Sequence, residues 1–206
     1  CYFRINMISY RKSKVSDSNQ IAKIHLKSFP NFFLTTLGYS FLKTYYKSCS
    51  KSKEAISICA IDNETKRIVG FAVGCLNSKG FNKKLIYSNL GAYLYQTLIL
   101  LCTKPCTLIR LFKNLEKGNV LSDKGNYAEL LSIGMSPDQS GLGIGQNLLA
   151  KFENKVREKG VNTVTLTTDA DLNDNVLKFY KKTGYTVYYD FATFPNRKML
   201  KLIKEL

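Results

Sequence analysis

The sequence predicts one α/β domain over residues 1–206, and three observations carry that reading. Strand-like and helix-like runs alternate along most of the chain. A glycine-rich turn near residue 141 stands between a strand and an amphipathic helix. A chain of 206 residues with 45% apolar content can bury one sizeable core and lacks the low hydrophobicity of a disordered protein.

The elements follow in order. Residues 8–12 form a short strand, and Ser16 and Asp17 cap a helix over 17–28 whose apolar period runs through Ile21, Ile24 and Phe29. After the aromatic loop 29–33, a helix over 36–50 carries Phe41, Leu42, Tyr45 and Tyr46 on one face. Residues 55–61 and 68–76 read as strands, and the polar stretch 62–66 between them suits a hairpin connection. Strand character returns over 127–135. The clearest helix spans 144–159: Ile144, Leu148, Leu149, Phe152 and Val156 share a face, and Lys159-Gly160 closes it. A strand over 161–167, a helix over 173–182 ending before Gly184, and strands over 185–191 and 197–203 complete the chain.

Residues 79–125 form a long insertion rich in Leu and Tyr, punctuated by Gly91, Pro105 and Gly118. Two helices around Pro105 are expected. Leu85, Ile86, Leu90, Tyr93, Leu94, Leu98, Leu101, Leu108, Leu111 and Phe112 are too many large apolar side chains to leave in water, and Lys83, Lys84, Lys104, Arg110 and Lys113 give them a basic rim. Core extension, a homodimer contact, an acceptor wall and a peripheral membrane contact all fit such a segment. It reads poorly as a spanning helix, because Ser88, Asn89, Gly91, Gln96, Thr97 and Pro105 interrupt its most apolar part.

The formal charge of +16 is spread along the chain without a block of like charges, which favours anionic small molecules over a nucleic-acid-binding tail. No concentrated basic stripe with interleaved aromatics accompanies it, so no nucleic acid is expected as a partner. Six cysteines show no Cys-x-x-Cys spacing; no metal is expected, and a reduced, cytoplasmic protein follows. The start Cys1-Tyr2-Phe3-Arg4 lacks the order of a secretory signal, and Met7 is a candidate start. His25, the single histidine, sits mid-helix between Ile24 and Leu26 and reads as a core residue before a catalytic one.

The chemistry concentrates at Pro137-Asp138-Gln139-Ser140-Gly141-Leu142-Gly143-Ile144-Gly145. Glycines let the backbone turn tightly and approach a ligand, and the unpaired N–H groups of a first helical turn attract phosphate. The spacing fails the dinucleotide fingerprint, which would need glycine at Gln146, and no Gly-Lys-Ser/Thr follows to make a P-loop. A glycine-rich turn that merely starts a helix is the alternative.

This turn, with Ile133-x-Met135-x-Pro137 before it and Leu148-Leu149 after it, resembles motif A of the GCN5-related N-acetyltransferase (GNAT) superfamily. The run from Asn173 through Tyr180 to Gly184-Tyr185 is similar to that family's motif B, and Ile68-Val69-Gly70-Phe71-Ala72 to its third strand. Ser140 departs from the Arg or Gln usual before the first glycine, which leaves phosphate contact to backbone N–H, the Ser140 hydroxyl or Gln139; Val176 replaces a common Ala. The resemblance implies a GNAT fold: a mixed, mainly antiparallel sheet flanked by helices, with a helical insertion between strands 3 and 4. It further implies acetyl-CoA as cosubstrate between splayed parallel strands 127–135 and 162–167. Pantetheine would pair near Ile133 and Met135, and the pyrophosphate would lie on Gln139, Ser140, Gly141, Leu142, Gly143, Ile144 and Gly145, with Asn173 and Tyr180 completing the coenzyme site. A primary amine would attack the thioester, with Glu129 as general base and Tyr180 as general acid to the thiolate. Both have bland alternatives, an exposed strand carboxylate and an aromatic packed on its helix.

The acceptor side falls to the loop 29–33 and the early helices. This stretch resembles acetyltransferases that modify amino sugars in bacterial surface-polysaccharide pathways, which implies a small-molecule amine acceptor. A protein or peptide amine, or a non-catalytic CoA-binding module, is the alternative.

Overall fold

The structure, a computed structural model, describes residues 8–30, 32–108, 126–139, 141–194 and 196–206. One seven-stranded sheet runs in the order β1-β2-β3-β4-β5-β7-β6. Its strands are β1 (Ile8–Lys12), β2 (Ala55–Asp62), β3 (Ile68–Cys75), β4 (Ala128–Met135), β5 (Thr163–Asp169), β6 (Thr186–Thr193) and β7 (Arg197–Glu205). Every neighbouring pair is antiparallel except β4 and β5, which run parallel. This is the mixed, mainly antiparallel sheet that the resemblance implies.

Helices cover both faces. On one face lie α1 (Ser18–Ser28), the short α2 (Phe33–Thr36), α3 (Gly38–Lys51) and the insertion helices α4 (Phe81–Tyr87) and α5 (Leu90–Thr103); on the other lie α6 (Ile144–Arg157) and α7 (Asp174–Lys182). β2 and β3 are covered on both faces and therefore read as nearly continuous apolar runs without alternation. Two cores result. Leu148, Leu149, Phe152 and Val156 of α6 pack on Val164, Leu166 and Leu202, while Ile21, Leu42 and Tyr46 pack on Phe71, Val73 and Cys75. Burial pushes the thiols of Cys49, Cys59 and Cys75 up to about 12, so they behave as small apolar side chains.

Helix ends differ from expectation by a few residues. Gly160 adopts φ +75°, so the regular helix stops at Arg157 and β5 begins only at Thr163. The insertion departs more. Its helices α4 and α5 are bent by 95° at Ser88-Asn89, a break beyond the one expected, and α5 ends at Thr103, so helical chain stands on either side of Pro105 as expected. Residues 105–108 are again helical. Arg110, Leu111, Phe112 and Lys113 lie outside the described residues.

The sheet opens at one place. The β3–β4 register slips between Val73 and Gly74, which leaves Leu131 as an extra residue in β4. A bulge of this kind bends the strand that carries it. β4 accordingly pairs with β5 only through Ala128–Leu130 and Val164–Leu166, and the two strands then part. Gly74 is obligatory opposite this bulge, because a Cβ there would lie 2.3 Å from the Glu129 carbonyl oxygen and 2.5 Å from the Phe152 ring.

Candidate active site

A cavity of about 670 Å³ passes through the gap between β4 and β5. Its walls are Gly145 of α6 and Asn173, Val176, Phe179 and Tyr180 around α7 on one face of the sheet, and Ser28, Phe29, Phe32, Phe33 and Leu34 on the other. Ile133 and Met135 line it from β4. The Ser136 N–H bonds to the Val69 carbonyl at 2.8 Å. By strand alternation, Met135 and Ile133 therefore turn their backbone polar groups away from β3 and toward the gap. Ser28 Oγ donates to the Met135 carbonyl at 2.7 Å, so one side of the gap carries strand backbone that β5 no longer pairs.

The glycine turn sits at the rim. Gly141 and Gly143 adopt φ +79° and +71°, and a Cβ at either would meet nothing within 4 Å, so the backbone here is open to a ligand. Gly143 is the N-cap residue just before α6 and has no side chain to cap it, which leaves first-turn N–H groups facing outward. Leu142 packs against the core below, and Ile144 is buried in it. Gln139 ends a 3-10 turn, where its amide donates to Asp138 at 3.2 Å. Gly145 is the one residue of 141–145 on the cavity wall, and it lies close to β4: a Cβ there would fall 2.6 Å from Met135 Cε. Ser140 lies outside the described residues. Open turn, uncapped helix and freed strand backbone together fit the pyrophosphate and pantetheine of a CoA thioester.

Asn173 is the N-cap residue just before α7 and donates to Thr168 Oγ1 at 2.7 Å and to the Asp169 carbonyl at 3.0 Å, which pins the helix start to the end of β5. Tyr180 reaches the cavity from the last turns of that helix, edge-on to Phe179 at 5.1 Å and Tyr185 at 5.6 Å. Burial raises its pKa well above the ordinary tyrosine value. A phenol so placed stays protonated at neutral pH.

Glu129 is placed differently. It is not on the cavity wall; its carboxylate pairs with Lys201 of β7 at 2.5 Å and accepts a hydrogen bond from Ser78. Lys201 in turn lies over the Tyr127 ring at 5.2 Å. The structure thus brings Ile133, Met135, Gly145, Asn173 and Tyr180 to one cavity, and leaves Glu129 off its wall in a partly buried ion pair.

Several cavity residues were not singled out from sequence: Ser28, Ser132, Thr167, Thr193, Arg197 and Met199. Arg197 pairs with Asp169 through two nitrogens and stacks on the Phe32 ring at 4.6 Å, tying the aromatic loop to β7. Strand alternation would have put Arg197, Met199 and Lys201 on one face, but only the fold says which face meets the cavity. His25 is 2% exposed and shares a 2.6 Å hydrogen bond with Tyr46. Burial lowers its pKa to about 4, so it is a neutral core histidine whose edge reaches the cavity.

Known proteins share both sequence and architecture with this chain. The sequence model described as "Acetyltransferase (GNAT) family" matches residues 18–185. The uncharacterized N-acetyltransferase ycf52 of Pyropia yezoensis is 33% identical over 64 residues; the match covers 31% of this chain and 34% of that protein, so the chain spans about a third of the curated relative's length. Among solved structures, the ribosomal-protein-S18-alanine N-acetyltransferase of Escherichia coli superposes with a TM-score of 0.59 at 15% identity, covering 97% of this chain and 94% of the other. PaiA N-acetyltransferase of Thermoplasma acidophilum, solved in complex with coenzyme A, does so with a TM-score of 0.53 at 14% identity over 97% and 99%.

Proposed function

The chain belongs to the acetyltransferase (GNAT) family, and on that premise we propose that it moves an acetyl group from acetyl-CoA to a primary amine on a small molecule. The observation that carries the proposal is the parting of β4 from β5 after Leu130, which frees backbone at Ile133 and Met135 between an uncapped helix start and a buried tyrosine. PaiA, a structure of similar architecture, was solved in complex with coenzyme A. In this reading Gly141, Gly143 and the first turn of α6 hold the pyrophosphate, with Gln139 and Ser140 beside them, and Ile133 and Met135 hold the pantetheine arm.

The thioester supplies a carbonyl carbon that the amine nitrogen attacks, and the C–S bond breaks to release a thiolate. Tyr180 gives that sulfur its proton. Glu129, occupied by Lys201 and Ser78, serves here as a structural anchor rather than the base assigned to it from sequence. The amine then enters as its free base, and the proton that its nitrogen sheds on becoming an amide leaves to water, from which Tyr180 regains the proton it gave. We further place the chain in the cytoplasm, where its free thiols stay reduced.

The acceptor follows from the wall opposite. Phe29, Phe32, Phe33 and Leu34 offer flat apolar surface, while Ser28, Ser132, Thr167 and Thr193 offer hydroxyls. An amino sugar has both an apolar ring face and hydroxyl edges. No Asp or Glu is among the described residues lining the cavity, which disfavours polycationic polyamines and aminoglycosides. The test is acetyl-CoA titration by calorimetry followed by a CoA-release screen across amino sugars, peptides, polyamines and aminoglycosides. Saturable binding with turnover on amino sugars is expected. Absence of acetyl-CoA binding defeats the activity itself, binding without turnover on any amine leaves a CoA-binding module, and preference for peptides replaces the acceptor.

A further inference from the structure

α5 is an apolar helix with an apolar outside. Tyr93, Gln96 and Leu100 face inward: Tyr93 meets Phe41 edge-on, Gln96 donates to Ser40 at 3.0 Å, and Leu100 packs with Leu37 and Leu108. Leu90, Leu94, Leu98 and Leu101 fall on a different stripe, at spacings of four, four and three residues, and all four are exposed, Leu98 by 61%. Tyr87 at the end of α4 is 74% exposed. A row of leucines this long on the surface marks a contact with something apolar.

Charge decides what that something is. Between Glu64 and Glu116 the sequence has eight Lys or Arg residues and no Asp or Glu. Lys83 stands in α4, and Lys104 caps the far end of α5, where its ammonium, among the described residues, is bonded only to a neutral partner, the Thr36 carbonyl, at 3.1 Å. Apposing this face to a second copy would bring together two such basic rims on molecules that each carry +16. An anionic bilayer complements both the leucines and the lysines. Spanning does not fit: at 14 residues α5 is about 21 Å long, short of a hydrocarbon core of about 30 Å, and it meets α4 at 95°.

We propose that α4 and α5 dock this protein onto an anionic membrane surface, with Leu90, Leu94, Leu98 and Leu101 entering the acyl boundary and Lys83 and Lys104 at the headgroups. The surface adjoins the acceptor side of the cavity, because Leu100 and Lys104 pack on the 33–37 segment whose Phe33 and Leu34 line the cavity. The proposal does not depend on the acetyl-transfer reading.

The test is flotation of the full chain with vesicles of phosphatidylcholine alone and of equimolar phosphatidylcholine and phosphatidylglycerol. The protein should float with the anionic vesicles and be released by salt. Leu94→Ser with Leu98→Ser should cut the bound fraction about tenfold or more, with unchanged acetyl-CoA affinity and circular dichroism. Lys83→Glu, which leaves the apolar stripe intact, should weaken binding to anionic vesicles alone and covers the case of a poorly folding double variant. Failure to float with anionic vesicles overturns the proposal, as does equal flotation with neutral ones. A dimer in light scattering that the leucine variant dissociates would overturn it in favour of a second copy.

Discussion

Tyr180 and Glu129 show how far a residue's role can be taken from its place in a motif. Tyr180 stands at its expected place at the end of a short helix, between Phe179, Tyr185 and the cavity, where burial holds the phenol protonated. Glu129 was also on the expected strand, but its partner Lys201 comes from β7, 72 residues later in the chain, and no local pattern links the two. Tyr180→Phe should lower turnover by roughly 10²- to 10⁴-fold, the range for losing a positioned acid, with little change in acetyl-CoA affinity. In the same pH–rate measurements Glu129→Gln should leave the acidic limb where it is. It should also lower the urea midpoint, because Lys201, whose side chain is 7% exposed, loses its counter-charge. A shifted acidic limb in a stable Glu129→Gln protein would restore the carboxylate as the base.

Elements were legible to the degree that they carry a one-sided period. α6 has apolar residues at helical spacing on one face and polar residues elsewhere, and both its register and its glycine start were readable. α5 is apolar on nearly every side, so its period was uninformative; Pro105 marks the break that follows it, whereas the bend at Ser88-Asn89 before it went unmarked. The bulge at Leu131, which opens the sheet, has no signature in the β4 sequence; its trace is Gly74 on the neighbouring strand, where any side chain would strike Phe152. The turn before α6 allows a controlled test. Gly143 and Gly160 bracket the helix, share a positive φ near +70° to +75°, and have open space where a Cβ would stand. Valine at either imposes the same kind of backbone strain, on the order of 1–2 kcal/mol. Gly143→Val should weaken acetyl-CoA binding at least about tenfold beyond the effect of Gly160→Val, since only the former crowds the helix start that faces the cradle. Equal affinities in the two folded variants, measured by calorimetry, would remove the glycine turn from the coenzyme site.

At the scale of the whole molecule, the strand count and alternation were readable, but the strand order was not: the placement of β7 between β5 and β6 is a tertiary fact that no local residue carries. The insertion is where the two scales meet, because one segment both completes the core and presents a surface. Phe81 and Leu85 of α4 are 2% and 3% exposed and pack into the core formed with Tyr45, Tyr46 and Cys75. Leu98 and Leu101 of α5, a few turns away, stand in solvent. Composition treats these four residues alike, and only burial separates them. Phe81→Ala should therefore cost about 3–5 kcal/mol through lost burial and the cavity left behind, whereas Leu98→Ala should change stability by no more than about 0.5 kcal/mol. Urea denaturation of the two variants, read as midpoint shifts at constant slope, measures both. If Phe81→Ala were as mild as Leu98→Ala, the insertion would be an appendage resting on a complete domain, and a turn replacing residues 79–125 would leave a stable protein. With the expected contrast, the same deletion uncovers Leu42, Tyr45 and Leu37 and destabilises the fold. Surface substitutions on α5 are then the only means of removing its outer face while keeping the active site intact.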